Sequence, residues 1–356
     1  MENVVFISCA RTPIGAYGGS LKDVAVYRLA GTVLKAAVQK AGIEPEQVDD
    51  VIMASAYQNG ECANGARMAV LDADWPDTIP GGMIDRRCCS GLESVYYAAL
   101  QIQTGNADIV VAGGMESMSQ GELYIPGDIK WGLGGKSHEK YGFMPRGHGA
   151  LAMWGIPLYD RIQRGRVMSQ PIWRYGELSS MMTWAETAAR NEKITREEAD
   201  RWALRSHQRA VAAQEAGKFR DEIVPVLTGR DKSGQEIYFS TDEGPRKDTT
   251  LERLAKLKPV YEGGVCTAGN SSSENDGAAV VILASERKAK DLGIRPLAYY
   301  RSCAIAATVG MSSTSRPGLP SVSPKSSFVS GRIAARQASM SPGLTKVVEM
   351  PKRFSV

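Results

Sequence analysis

The sequence predicts an α/β fold, and three observations carry that expectation. Strand-like and helix-like segments alternate through the first 120 residues. Met83-Ile84 runs through Arg86-Arg87-Cys88-Cys89-Ser90-Gly91 into a helical pattern, and Ile109-Val110-Val111-Ala112 follows as a buried strand. The composition is that of a globular chain: 356 residues, 43% hydrophobic and 23% charged, enough for one large or two ordinary domains.

The elements follow in order. Val4 to Ser8 reads as a short apolar strand, ended by Arg11-Thr12-Pro13-Ile14-Gly15. Between Asp23 and Ala41, Leu29, Ala30, Val33, Leu34, Ala37 and Val38 fall at helical spacing, and Gly42 supplies the stop. Pro45 opens a short helix, and Val51 to Ala56 is the next strand. After the Cys88 segment, Leu92, Val95, Ala99 and Ile102 share one helix face, and Gly105-Asn106 ends that helix. The pair Gly113-Gly114 is expected to form a tight turn supporting it. Residues 119 to about 185, rich in glycine and aromatics with weak periodicity, read as an excursion from the core. Thr195-Arg196-Glu197-Glu198 fits a capping box opening an amphipathic helix. Asp248 to Lys258 suggests a short helix, Tyr261 to Ala284 a glycine-rich turn and a buried strand, and Leu297 to Ala307 the first strand of a further domain.

Beyond Thr308 the pattern changes. Eleven serines and five prolines occupy the last 48 residues, without helical or strand periodicity. Two readings stand: a disordered basic tail, or a domain lost after its first strand and followed by residues from a shifted frame. The net charge of +4 belongs to this tail, which carries seven basic side chains and one acid, so the first 308 residues carry −2. No nucleic-acid module accompanies that charge. No run approaches the roughly 20 apolar residues of a membrane span, and Met1-Glu2-Asn3 lacks the basic lead of a signal segment. Six cysteines without C-x-x-C spacing point to free thiols in the cytoplasm and to no metal site.

Cys88 is the candidate nucleophile. At a helix entrance, unsatisfied amides and partial positive charge favour a thiolate, which can attack a thioester while a backbone amide holds the developing oxyanion. A pair of cysteines simply buried at a strand–helix junction is the plainer alternative.

The surrounding residues bear on that choice. Cys88-Cys89-Ser90-Gly91-Leu92 resembles the nucleophile segment C-[GS]-S-G-[LM] of the thiolase family. Ala10-Arg11-Thr12-Pro13-Ile14-Gly15 with Gly18-Gly19-Ser20-Leu21 is similar to that family's opening. Ala112-Gly113-Gly114-Met115-Glu116-Ser117-Met118-Ser119 matches its A-G-G-x-E-S-M-S. Thr267-Ala268-Gly269-Asn270-Ser271-Ser272-Ser273-Glu274-Asn275-Asp276-Gly277-Ala278 resembles T-A-G-N-A-S-G-x-N-D-G-A. All four stand in family order between residues 4 and about 308.

The resemblance implies the thiolase fold, αβαβα layers in two similar halves with a loop domain inserted in the first. Residues 1–120 and 250–290 are then the N-terminal domain, 121–249 the loop domain, 291–308 the start of a C-terminal domain truncated after about residue 308, and 309–356 the atypical tail. It implies a ping-pong acyltransferase working on coenzyme A thioesters, with no permanently bound cofactor, as a homodimer or homotetramer free of membrane and nucleic acid. Cys88 would be acylated, Ser272 would lie against the pantetheine arm, and Gly269 and Asn270 would shape that turn, where a missing β-carbon admits a ligand. His148, in the excursion over the coenzyme A cleft, is a candidate contact; His138 and His207 are structural. Met181-Met182-Thr183-Trp184-Ala185-Glu186 resembles M-G-x-T-A-E, with Trp184 either narrowing the acyl site or filling core. Cys89, where Gly or Ser is usual, is a second reactive sulfur or a tolerated small residue.

Three family groups have no counterpart among the 356 residues: the N-E-A-[FL] asparagine, the G-H-P histidine and the second cysteine of a C-x-G segment. The expectation is therefore an acetyl-CoA C-acyltransferase impaired in this chain. A non-catalytic acyl-CoA-binding or partner subunit is the alternative; a ketoacyl synthase relative is disfavoured by A-G-G-M-E-S-M-S and the coenzyme A loop.

Overall fold

A computed structural model of the chain describes residues 2–127, 145–146, 150–151, 158–169, 171 and 181–305. The chain divides into two compact units, Met1–Ser302 and Cys303–Val356. All helices and strands among the described residues lie in the first. His138, His148 and the tail from residue 309 fall outside the described residues.

The first half of the core runs β1 (Val4–Arg11), β2 (Gly15–Ala16), α1 (Val26–Ala41), β3 (Asp50–Ala54), α2 (Gly65–Asp72), β4 (Gly81–Ile84), α3 (Ser90–Gln103) and β5 (Ile109–Ser117). Between β5 and the last core strand lie β6 (Leu123–Tyr124), β7 (Pro145–Arg146), β8 (Ala150–Leu151), β9 (Tyr159–Asp160), α4 (Arg161–Val167), α5 (Met181–Asn191) and α6 (Arg196–Glu215). The hairpin β10 (Val226–Arg230) and β11 (Glu236–Phe239) follows, then α7 (Leu251–Ala255). The chain re-enters the core as β12 (Asn275–Ser285), α8 (Glu286–Asp291) and β13 (Ala298–Tyr299).

One mixed sheet has the order β13-β1-β12-β5-β3-β4, with β2 paired to β12. β3 is parallel to β4 and β5, whereas β12 is antiparallel to β5 and β1. Period-two alternation divides the side chains between two faces. Val5, Val51, Met53, Ile109, Val111 and Ile282 pack with Leu29, Val33 and Leu34 of α1 on one face. Val4, Ile52, Val110 and Leu283 meet Ala98, Ala99 and Ile102 of α3 on the other. α1 ends as its sequence predicts: Gly42 takes φ +67°, and its amide donates to Gln39 O at 3.1 Å.

The structure corrects two expectations. Gly113-Gly114 is not a turn but the middle of β5, opposite Val280 and Ala279 of β12. A Cβ on Gly113 would stand 2.1 Å from Ala279 O, so glycine there permits the strands to pair. The expected face of α3 also needs amending at its first residue: Val95, Ala99 and Ile102 pack on the sheet, but Leu92 does not. Leu92 is 69% exposed, while Ser90, Glu93, Ser94 and Ala98 are buried along with Ala99 and Ile102. Small residues win because they let the helix close on β5, where Ser94 Oγ donates to Gly113 O at 2.9 Å. The segment read as a new domain's first strand contributes Ala298–Tyr299, which pairs with β1 at the edge of this sheet.

Candidate functional site

Strand direction gathers the four motif segments. β1, β3, β4 and β5 all end at the edge of the sheet where antiparallel β12 begins. The opening motif leaves β1 there, the Cys88 turn leaves β4, Ser117–Ser119 leave β5 and the 267–274 loop enters β12, with residues 55–57 leaving β3 beside them. Ligand crevices form outside strand carboxyl ends for this reason: the loops converge there. Three strand steps separate β12 from β4, roughly 14 Å at the usual spacing.

Cys88 and Cys89 are both exposed, at the head of α3. The turn that carries them is fastened at several points. Ser90 Oγ accepts from Arg86 N and donates to Arg87 O at 2.6 Å. Cys89 N donates to Arg86 O at 3.2 Å, and Arg87 N to Asp85 Oδ1 at 2.8 Å. Arg87 has φ +51°, in the left-handed region that costs a side-chain-bearing residue about 1–3 kcal/mol. The first helical bond is Glu93 N to Cys89 O at 3.1 Å, so the Gly91 and Leu92 amides stand outside the helical ladder at the end nearest Cys88.

Both arginines are committed to acids. Arg86 pairs with the buried carboxylate of Glu93, and this hydrogen bond raises the guanidinium pKa. Arg87 lies 3.4 Å from Asp85, donates to Ala56 O and stacks over Tyr57 with its guanidinium carbon 5.7 Å from the ring centre.

Glu116 supports the turn from beneath, and the sequence reading assigned it no role. Its carboxylate accepts from Ser55 Oγ at 3.0 Å, Ala56 N at 2.8 Å and Tyr57 N at 3.2 Å. Residues 55–57 in turn hold Arg87. Burial raises the Glu116 pKa despite these donors.

The 267–274 loop is equally determined. Asn270 Oδ1 accepts from Thr267 N at 2.7 Å, and its Nδ2 donates to Val265 O and to Asp200 Oδ1, both at 2.9 Å. Asp200, buried in α6, also receives Arg196 Nε at 2.8 Å. Gly269 packs against α7 and the residues after it: a Cβ would fall 2.5 Å from Leu254 and Leu257 carbons, so the missing β-carbon admits the chain's own leucines rather than the ligand expected from the sequence. Glu186 of α5 accepts from Val265 N at 3.0 Å and Cys266 N at 2.7 Å. Burial, with the Glu186 carboxylate, pushes the Cys266 thiol up to about 11, leaving it a protonated packing residue. Ser272 is exposed beyond this rigid part, its hydroxyl donating to Ser273 O at 3.2 Å. Asp276 ties loop to strand, accepting from Ser119 N at 2.9 Å and Ser117 Oγ at 3.3 Å.

Gly269, Asn270 and Ser272 thus share one loop, and Cys88 stands on another at the same sheet edge. His207 accepts Arg246 N at 3.2 Å on α6, a structural contact. Trp184 is half-buried on α5. Among the described residues no cluster of three metal-ligating side chains occurs, and no helix is long and apolar enough to cross a membrane.

Comparison with known proteins adds the following. The family "Thiolase, N-terminal domain" matches residues 4–287. An acetyl-CoA acetyltransferase of Cupriavidus necator is 40% identical over 307 residues, covering 86% of this chain and 72% of its own length. A probable acetyl-CoA acyltransferase of Staphylococcus aureus is 38% identical over 299 residues, covering 84% and 70%. The crystal structure of the Bacillus anthracis acetyl-CoA acetyltransferase matches with a TM-score of 0.73 at 41% identity, covering 84% of this chain and 69% of that one.

Proposed function

The chain belongs to the thiolase family, a family of acyltransferase enzymes with the thiolase fold, and from that premise we propose that Cys88 takes the acyl group from a coenzyme A thioester. The Cys88 thiolate attacks the carbonyl carbon, and the sulfur of coenzyme A leaves as the tetrahedral intermediate collapses. The oxyanion is held by amides at the head of α3, which a tight, multiply bonded turn keeps in place. Ser272 lies against the pantetheine arm, on a loop whose shape Gly269 and Asn270 fix. His148 is retained as a coenzyme A contact.

The observation that carries this reading is the position of Cys88: an exposed thiol at a helix entrance, on the sheet edge where the 267–274 loop also arrives. In full, the reaction would continue to Claisen condensation with a second acyl-CoA, or run in reverse as thiolysis of a 3-ketoacyl-CoA. The family asparagine, histidine and second cysteine are absent from these 356 residues, so the polypeptide itself is expected to complete only the first half-reaction, slowly. General acid–base groups typically contribute 10²–10⁴-fold each. The domain limits, cytoplasmic location and homo-oligomeric state given above belong to the same proposal.

The test is rapid-mixing measurement of free coenzyme A thiol after addition of acetyl-CoA. One equivalent per chain, released without sustained turnover and lost in Cys88→Ser, is the expected result. Binding of acetyl-CoA with no thiol release would instead favour the acyl-CoA-binding subunit. Sustained thiolysis of acetoacetyl-CoA by the homogeneous 356-residue chain would overturn the impairment.

A further inference from the structure

Two thiols at one helix entrance are more than one nucleophile needs. Cys88 and Cys89 are adjacent and both exposed; Cys62 and Cys266 are buried, Cys303 is half-buried, and Cys9 is exposed but stands alone on β1. Burial raises the pKa of both buried thiols, which disfavours their thiolates. The pair also sits in a chain reversal: Cys89 N reaches back to Arg86 O, and Ser90 N to Arg87 O at 2.9 Å.

We propose that Cys88 and Cys89 form a hydroperoxide-reactive vicinal dithiol, closing reversibly to a disulfide that protects the nucleophile and switches it off. The inference rests on the reading of Cys88 as nucleophile, because a sulfur activated for a thioester is also activated for a peroxide. In the first step the Cys88 thiolate attacks the terminal oxygen of the hydroperoxide. A sulfur–oxygen bond forms, the oxygen–oxygen bond breaks, and the alkoxide leaves and is protonated to alcohol. In the second step the Cys89 sulfur attacks Cys88 Sγ. The sulfur–sulfur bond forms, the sulfur–oxygen bond breaks, and hydroxide departs with the thiol proton as water. Two thiols and one hydroperoxide give one disulfide, one alcohol and one water, or two waters when the oxidant is hydrogen peroxide; the sulfurs lose the two electrons that the peroxide gains.

Chain geometry argues for reversibility. Consecutive Cα atoms are about 3.8 Å apart across a trans peptide, below the roughly 4.4–6.8 Å usual for a disulfide. A bond formed there is strained, and strained or exposed disulfides are the readily reduced ones. Cys89 thereby has a use that a Gly or Ser at its position would lack: it intercepts the sulfenic acid before irreversible oxidation.

The test uses the full chain, reduced, exposed to hydrogen peroxide, blocked with maleimide and digested with trypsin. Cleavage after Arg87 and Lys130 releases a peptide whose only cysteines are Cys88 and Cys89. The expected product is that peptide lighter by two hydrogens and unlabelled, restored to two maleimides by prior treatment with a small thiol. In Cys89→Ser the same peptide is expected to carry a dimedone-trapped sulfenic acid or its higher oxides. A wild-type peptide holding sulfinic acid with Cys89 alkylated, or joined to another cysteine peptide, would overturn the proposal. So would an unoxidised pair under peroxide that oxidises small thiols fully. Acetyl-CoA applied to a parallel sample separates the two claims: disulfide without acylation removes the functional reading, and acylation without disulfide removes this one.

Discussion

Glu116 accepts three hydrogen bonds from residues 55–57 while burial holds its pKa above the ordinary 4.5. Gln in its place would present an amide NH₂ to donors that need an acceptor, at about 1–3 kcal/mol for each buried group left unsatisfied. Glu116→Gln is therefore expected to lower the urea midpoint and, by loosening the 55–57 segment that holds Arg87, to slow alkylation of Cys88 by iodoacetamide. The pH dependence has a definite sign. The folded state binds the Glu116 proton more tightly than the unfolded chain does, so this group's stabilising contribution is greatest below about 4.5. It falls as pH rises towards the folded value and is constant above it. Denaturation midpoints measured across that interval should lose this slope in the Gln variant. Asn270 offers a second case. Its removal in Asn270→Ala breaks bonds to Thr267 N, Val265 O and Asp200, so a loss of about 2 kcal/mol is expected, with weaker coenzyme A binding by calorimetry. An unchanged affinity would detach this loop from the ligand.

At the scale of elements, β5 and β12 depend on a missing side chain. In Gly113→Ala the new methyl would press on Ala279 O and on Val280 Cα, 2.8 Å away, backbone atoms that cannot swing aside. The expected loss is roughly 3 kcal/mol or more, at the upper end of overpacking penalties, read as a fall in soluble yield and urea midpoint. The α6 start is a milder test. Thr195 Oγ1 accepts Glu198 N at 3.2 Å, and Glu198 Oε2 accepts Thr195 N at 2.8 Å. Thr195→Ala should cost about 1 kcal/mol, without affecting Cys88 reactivity. The Thr195 capping box and the Gly42 stop were legible because their partners lie within a few residues. The burial of Ser94 and Ala98 on α3 was not, because they carry little hydrophobic signal and Ser94 is drawn inward by Gly113 on another element.

For the whole molecule, the same distinction between local and distant partners explains what the sequence disclosed. Family membership was legible from four short segments, and the sheet collects all four at one edge. The supports of the site were hidden because they join residues far apart in the chain: Glu186 to Val265 and Cys266, Asn270 to Asp200, Glu116 to Ser55. A signal existed, since Glu116 and Glu186 both stand inside recognisable motif segments, where a carboxylate beside glycine or small residues asks for backbone donors. Arg11 shows how the opening motif acts as an anchor. It binds Glu222 at 2.7 Å and Asp242 through two nitrogens at 2.8 and 3.0 Å, tying β1 to the segments around β10 and β11.

The central claim is that Cys88 is the acyl acceptor. Its most direct test is the mass of the tryptic peptide from Cys88 to Lys130 after brief mixing with acetyl-CoA and an acid quench, fragmented to locate the modification. One acetyl group on Cys88, absent from Cys88→Ser, is the expected result. An acetyl group on Cys89 or on a different peptide, or none while acetyl-CoA binds, would contradict it.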